Sequence, residues 1–171
     1  MYLYVLIGII IFISVITIKE TFKTSPLSNS ELPYEPEIWN KEKDDIRKYN
    51  NCYAYATNDL RSNRQKKPHP GYLSNKNSED KDYTCGKMEE YVLDDYPDDY
   101  KIDFDTPCQN GYYKAYLTVD RYNDFHLYRQ DDDGYWSHKP GGEKVKRIDA
   151  SNNKIENPES ADKVYKNYNY S

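Results

Sequence analysis

The chain has 171 residues, 24 basic and 29 acidic, for a net charge of −5, which is the length of one domain plus a targeting segment. The acidic balance and the lack of any basic block exclude a nucleic-acid partner held by phosphate neutralisation, and no repeat, heptad run or glycine-rich phosphate loop is present. The 153 residues after Ile18 hold only 16 Leu, Ile and Val and 3 Phe, yet 18 Tyr and 2 Trp; rings that bury roughly 150–250 Å² each make a small Tyr-based core feasible where aliphatics alone would not.

Met1–Ile18 is uncharged and almost wholly apolar. At 1.5 Å per residue it spans about 27 Å, close to a hydrocarbon core of about 30 Å. Tyr2 and Tyr4 suit one interface, Lys19 and Lys23 the other. No Lys or Arg precedes the run and no small-x-small site follows it, so an uncleaved anchor is expected rather than a signal peptide. This makes the chain a single-pass membrane protein whose partner through residues 1–18 is the lipid bilayer.

Residues 19–40 carry Pro26, Pro33 and Pro36 and are expected to form a stalk or an extended lead-in, with Ile38 and Trp39 docking on the domain next in the chain. Residues 41–171 form that domain. A helical stretch from Lys41 to Leu60 breaks near Tyr49–Asn51, and Asn51 suits an N-cap for a helix running from Cys52 through Leu60. Residues 61–81 read as a polar loop and Met88–Leu93 as a short helix. After Tyr112 the period changes to two, predicting strands over Tyr113–Val119, Phe125–Gln130, Tyr135–His138 and Val145–Ile148. Turns are expected at Asp131–Gly134, Lys139–Gly142 and Asn152–Asn153, and Ser160–Tyr168 closes the domain as a short helix. Helices first and an antiparallel sheet second is the order of an α+β domain.

The chemistry-bearing residues are Cys52, Cys85 and Cys108 with His69, His126 and His138. Cys52 stands at a helix start, where the helix dipole lowers a thiol pKa and backbone N–H groups face an oxyanion. Pairing Gln130 with Gly134 sets His126 opposite His138 on one sheet face, so one imidazole orients the other. Asp120 and Asp149 are the alternatives to His138 as the orienting group. Cys85 and Cys108 are read as a disulfide in an oxidising space or as two thiols in a reducing one. His69, between two prolines, is read as a loop residue. A zinc site of Cys52, His126, His138 and a carboxylate lacks a paired-ligand spacing, and no metal or cofactor is expected.

The order Cys at a helix start, His on a strand, second polar residue on the next strand resembles the papain-like cysteine hydrolases, and the spacing His126-x11-His138 resembles especially their NlpC/P60 group. NCYAYA at Asn51–Ala56 resembles the Asn-Cys-x-x-x-Ala start of several papain-like branches. DFHLYRQDDDGYWSHKPGG at Asp124–Gly142, preceded by the Lys67–Gly71 loop, resembles a stretch of uncharacterised bacterial and large-DNA-virus proteins. The resemblance implies a small papain-like α+β domain behind the transmembrane helix. It also implies a Cys52 nucleophile, a His126 base, a His138 orienter and a peptide or amide substrate. The reading from another class is a non-catalytic, anchored binding or structural protein, a viral particle protein being one form.

Overall fold

A computed structural model describes residues 24–76, 83–165 and 168–169. The period-two stretch after Tyr112 builds a three-stranded antiparallel sheet in the order β1 (Ala115–Asp120), β2 (Asp124–Gln130), β3 (Trp136–His138). Residues directly opposite one another share a face, so the pairs Leu117–Leu127 and Val119–Phe125 line one side and Tyr116–Tyr128 and Gln130–Trp136 the other. The first side packs on Cys52, Tyr53, Ala56 and Met88. The second packs Tyr128 and Trp136 on Ile155 and Phe104. The chain is therefore a small α+β protein.

The β2–β3 register differs from the expected one by two residues: His138 stands opposite Tyr128, not His126. The cause is the turn. Asp131 N–H donates to the Tyr135 carbonyl and Gly134 N–H to that of Asp131, so the turn is residues 132–134, with Gly134 at φ +84° in the left-handed region that this loop length requires. A shift of two keeps every side chain on its face. His126 and His138 remain on one face as diagonal neighbours.

The described residues hold four α-helices, α1 (Pro36–Trp39), α2 (Ile46–Tyr49), α3 (Cys52–Ala56) and α4 (Cys85–Asp95), of which α3 and α4 pack on the sheet. Asn51 caps α3, its side chain accepting from Ala54 N–H at 3.3 Å. The helix ends well before Leu60 because Asn58 turns left-handed at φ +54° and Asp59 N–H closes back on the Ala54 carbonyl. Thr84 caps α4 by accepting from Lys87 N–H, which starts it three residues before the expected Met88. Its last residue, Asp95, accepts from the Tyr53 hydroxyl, Gly71 N–H, Ser74 N–H and the Ser74 hydroxyl at 2.7–2.9 Å. That single carboxylate ties the 71–74 turn to α3 and α4.

Two expected elements take other forms. Val145–Ile148 makes isolated bridges, His138 to Lys146 and Ile148 to Lys154, instead of a strand. Within Ser160–Tyr168 the expected helix is replaced by a hairpin of β4 (Val164–Tyr165) and β5 (Tyr168–Asn169), in keeping with the strand preference of Val and Tyr.

The expected transmembrane helix ahead of a papain-like domain is corrected. No helix among the described residues is long and apolar enough to cross a membrane. The longest, α4, has 11 residues, about 16 Å against a core of about 30 Å. The run Met1–Ile18, which carried the anchor, the bilayer partner and the single-pass membrane location, lies outside the described residues.

Residues 24–40 lie along the sheet as an arm. Ser25 is fully buried; its hydroxyl donates to the Phe104 carbonyl and receives Lys114 Nζ at 2.5 Å, and its carbonyl accepts from Gln130 Nε2. Leu32 makes a parallel bridge to Asp131. Trp39 meets Tyr55 edge-on with ring centroids 4.9 Å apart. Beneath the arm lies a buried polar network. Arg129, 1 % exposed, sits 4.1 Å over the Tyr55 ring and donates to Asp131 and to the Pro33 carbonyl. Asp131 also accepts from Ser137 and Arg147, and Ser137 meets the Tyr55 hydroxyl at 2.7 Å.

Candidate functional site

Three elements bring the sequence-expected residues together. Asn51 fixes the start of α3 and also donates from Nδ2 to the Pro68 carbonyl at 2.7 Å, holding the 67–71 loop over Cys52. α3 packs on β2, so Cys52 Sγ lies 4.0 Å from the Phe125 carbonyl. His126 lies on β2 and His138 ends β3. Asn51, Cys52 and His126 line one cleft of about 630 Å³, walled by Pro68, His69 and Pro140 and rimmed by Lys67, Glu143 and Lys146.

The proton positions in the histidine pair are set by its partners. His138 Nε2 lies 3.0 Å from the Ile148 carbonyl, which only accepts, so Nε2 carries the hydrogen. In a neutral ring Nδ1 then accepts, and the 2.7 Å contact with His126 Nε2 is a donation from His126. Both rings are neutral by environment. Burial pushes the His138 pKa down to about 4, and burial with the neighbouring His138 holds His126 well below its ordinary value. The ring centroids lie 5.0 Å apart, the separation an in-line N–H···N bond of 2.7 Å gives.

Cys52 is 4 % exposed. Burial, reinforced by the Asp124 carboxylate, pushes its thiol up to about 12; backbone N–H groups of Leu127 and Tyr53 offset only part of this. The five-residue α3 is a much weaker dipole than the expected nine-residue helix. Burial thus disfavours the charged form of the thiol and of both imidazoles alike.

The alternative orienting groups are engaged elsewhere. Asp149 accepts from Ser151, Asn153 and Asp162 backbone N–H groups. Asp120 closes the β1–β2 hairpin opposite Asp124 and accepts from Asn123. His69 Nδ1 bonds the Pro70 carbonyl. Cys85 and Cys108 are free thiols, one exposed and one half-buried, lining a second cavity of about 300 Å³ between α4 and the 99–117 segment. Among the described residues no group of three His, Cys, Asp or Glu side chains is placed to hold a metal.

Lys139 escaped sequence reasoning. It is fully buried, and its Nζ donates to the carbonyls of Arg47, Gly141 and Glu143 at 2.6–3.0 Å. It thereby pins α2 to the 140–143 turn beneath the cleft. Burial lowers its pKa to about 8. Nothing in a Lys-Pro-Gly-Gly turn signals an internal cation.

No family model matches the chain, and no solved structure matches it. It is 34 % identical over 131 residues to insoluble matrix shell protein 1 of Ruditapes philippinarum, covering 76 % of this chain and 80 % of that protein. That relative is named for an insoluble shell matrix and not for hydrolysis, which corrects the expected thiol-protease class; with similarity at this level across most of both sequences, the chain belongs to the family of insoluble matrix shell protein 1.

Proposed function

We propose that the chain is a non-catalytic structural protein of an insoluble matrix type. The observation that carries this reading is the kinship with a protein named as an insoluble matrix component over 80 % of its length. The protonation state of the cleft supports it. Cys52, His126 and His138 act as an internal pin: the thiol fills the α3–β2 contact, and the two imidazoles cross-link β2 to β3 and to the Ile148 carbonyl.

The test compares alkylation of the three cysteines in one folded chain. An ordinary cysteine is a few per cent thiolate at pH 7, whereas a thiol pushed to about 12 is on the order of 10⁻⁵ thiolate. Iodoacetamide is therefore expected to label the exposed Cys85 first and to reach Cys52 only when denaturant opens the fold. His126→Ala is expected not to slow Cys52 labelling. Cys52 reacting ahead of Cys85 at pH 7, with that lead lost in His126→Ala, would overturn the reading. The matrix part is tested on native material: the chain should stay in the residue that detergent does not dissolve, and release by detergent would contradict it.

A further inference from the structure

The cleft above Cys52 has a wall chemistry that the internal-pin role does not use. Its sides are the rings of Pro68 and Pro140 with Tyr165 nearby. Its rim carries Lys67, Lys146 and Glu143, all exposed, and none of the three makes a side-chain hydrogen bond or ion pair among the described residues. With Asp124 also in the lining, the charged groups are two of each sign, so a polyanion or a polycation gains little there. The floor, Cys52 with His126, is neutral. At about 630 Å³ the cleft lies within the roughly 300–1,000 Å³ range of small-molecule sites.

An extended peptide is poorly served. Two walls are prolines, which offer no N–H. The edge of β3 beside the cleft is closed by reciprocal 2.9 Å bonds between His138 and Lys146, so no open ladder remains for strand addition. A sugar matches better. Each hydroxyl both donates and accepts, and so uses ammonium and carboxylate groups together, while the C–H face of a pyranose lies against apolar rings.

We propose that this cleft binds an uncharged oligosaccharide, its ring faces against Pro140 and Tyr165 and its hydroxyls held by Lys67, Lys146 and Glu143. The inference rests on the non-catalytic reading, since the sugar is held and released unchanged. It gives a matrix-type protein a way to attach to a polysaccharide.

The experiment is an amide chemical-shift titration of the folded chain with cellotriose and maltotriose, with trigalacturonate and a blocked trialanine as charged and peptide comparisons. One of the two uncharged trimers is expected to shift amides of residues 67–71 and 140–146 saturably, and the double variant Lys67→Ala/Glu143→Ala to weaken that binding at least tenfold. Both substituted residues are exposed, so the folded spectrum should persist. The proposal is overturned by no cleft shift with either uncharged trimer at millimolar concentration, by tighter binding of trigalacturonate or the peptide, or by undiminished binding in the double variant. Sugar binding together with a Cys52 that outpaces Cys85 in alkylation would sink the non-catalytic reading and leave the sugar site standing.

Discussion

Asp131→Ala is expected to lower the unfolding free energy by about 3–5 kcal/mol, the usual result of leaving one partner of a buried ion pair uncompensated. Arg129, 1 % exposed, would keep its charge with only the Tyr55 ring and the Pro33 and Tyr55 carbonyls around it. Ser137 would lose its acceptor at 2.8 Å, and Arg147 would keep Asp133 and the Tyr34 ring. Burial is the largest influence on the Asp131 carboxyl and raises its pKa despite two guanidinium groups, so the acid itself is costly to bury and the loss measures the stranded arginine. Asp131→Asn keeps an oxygen for Ser137 and should cost less. Urea denaturation reads both variants. Equal midpoints for wild type and Asp131→Ala would mean that water reaches Arg129.

Acidification from pH 6.5 to pH 4 is expected to remove a comparable amount. His138 titrates near 4 in the folded chain and near 6.5 when unfolded, so between those values the unfolded state binds the extra proton and stability falls as pH falls. A separation of that size corresponds to about 3 kcal/mol, fully present above pH 6.5 and lost as pH approaches 4. His126 is shifted in the same direction and steepens the fall beyond one proton's slope of about 1.4 kcal/mol per pH unit. Unfolding midpoints across this range, with histidine Cε1–H resonances as a site-specific readout, check it. The resonances of His126 and His138 should hold their neutral positions until the chain unfolds. Titration of either in the folded chain near pH 6.5 would show that the pair is hydrated.

The sheet was legible because alternation survives in sequence: Leu117, Val119, Phe125 and Leu127 place themselves on one face by period alone. The β2–β3 register was not, because either end of Asp131–Gly134 can serve as the turn, and only the hydrogen bonds of Asp131 fix Gly134 in the left-handed position. The end of α3 was hidden for a related reason, since an asparagine such as Asn58 can continue a helix or turn left-handed. The Cys52–His126–His138 order was visible, and in the structure Cys52 and His126 line one cleft while His138 bonds His126. What they do depends on burial, which sets their protonation, and burial is a property of packing that a string of residue types does not carry. The same string is compatible with a nucleophile and with a pin.

The arm formed by residues 24–40 also governs when the fold can be completed. Ser25 receives Gln130 across 105 positions of sequence, and the Tyr34 hydroxyl donates to the Val145 carbonyl across 111. The arm must therefore wait for partners synthesised more than a hundred residues later. Contacts of such long sequence separation slow folding, because the loop-closure entropy is spent before they form. Synthesis stalled before Gln130 would leave the Ser25 carbonyl without the amide that binds it and Leu32 without its bridge to Asp131, so the arm docks fully only after β2 has been made.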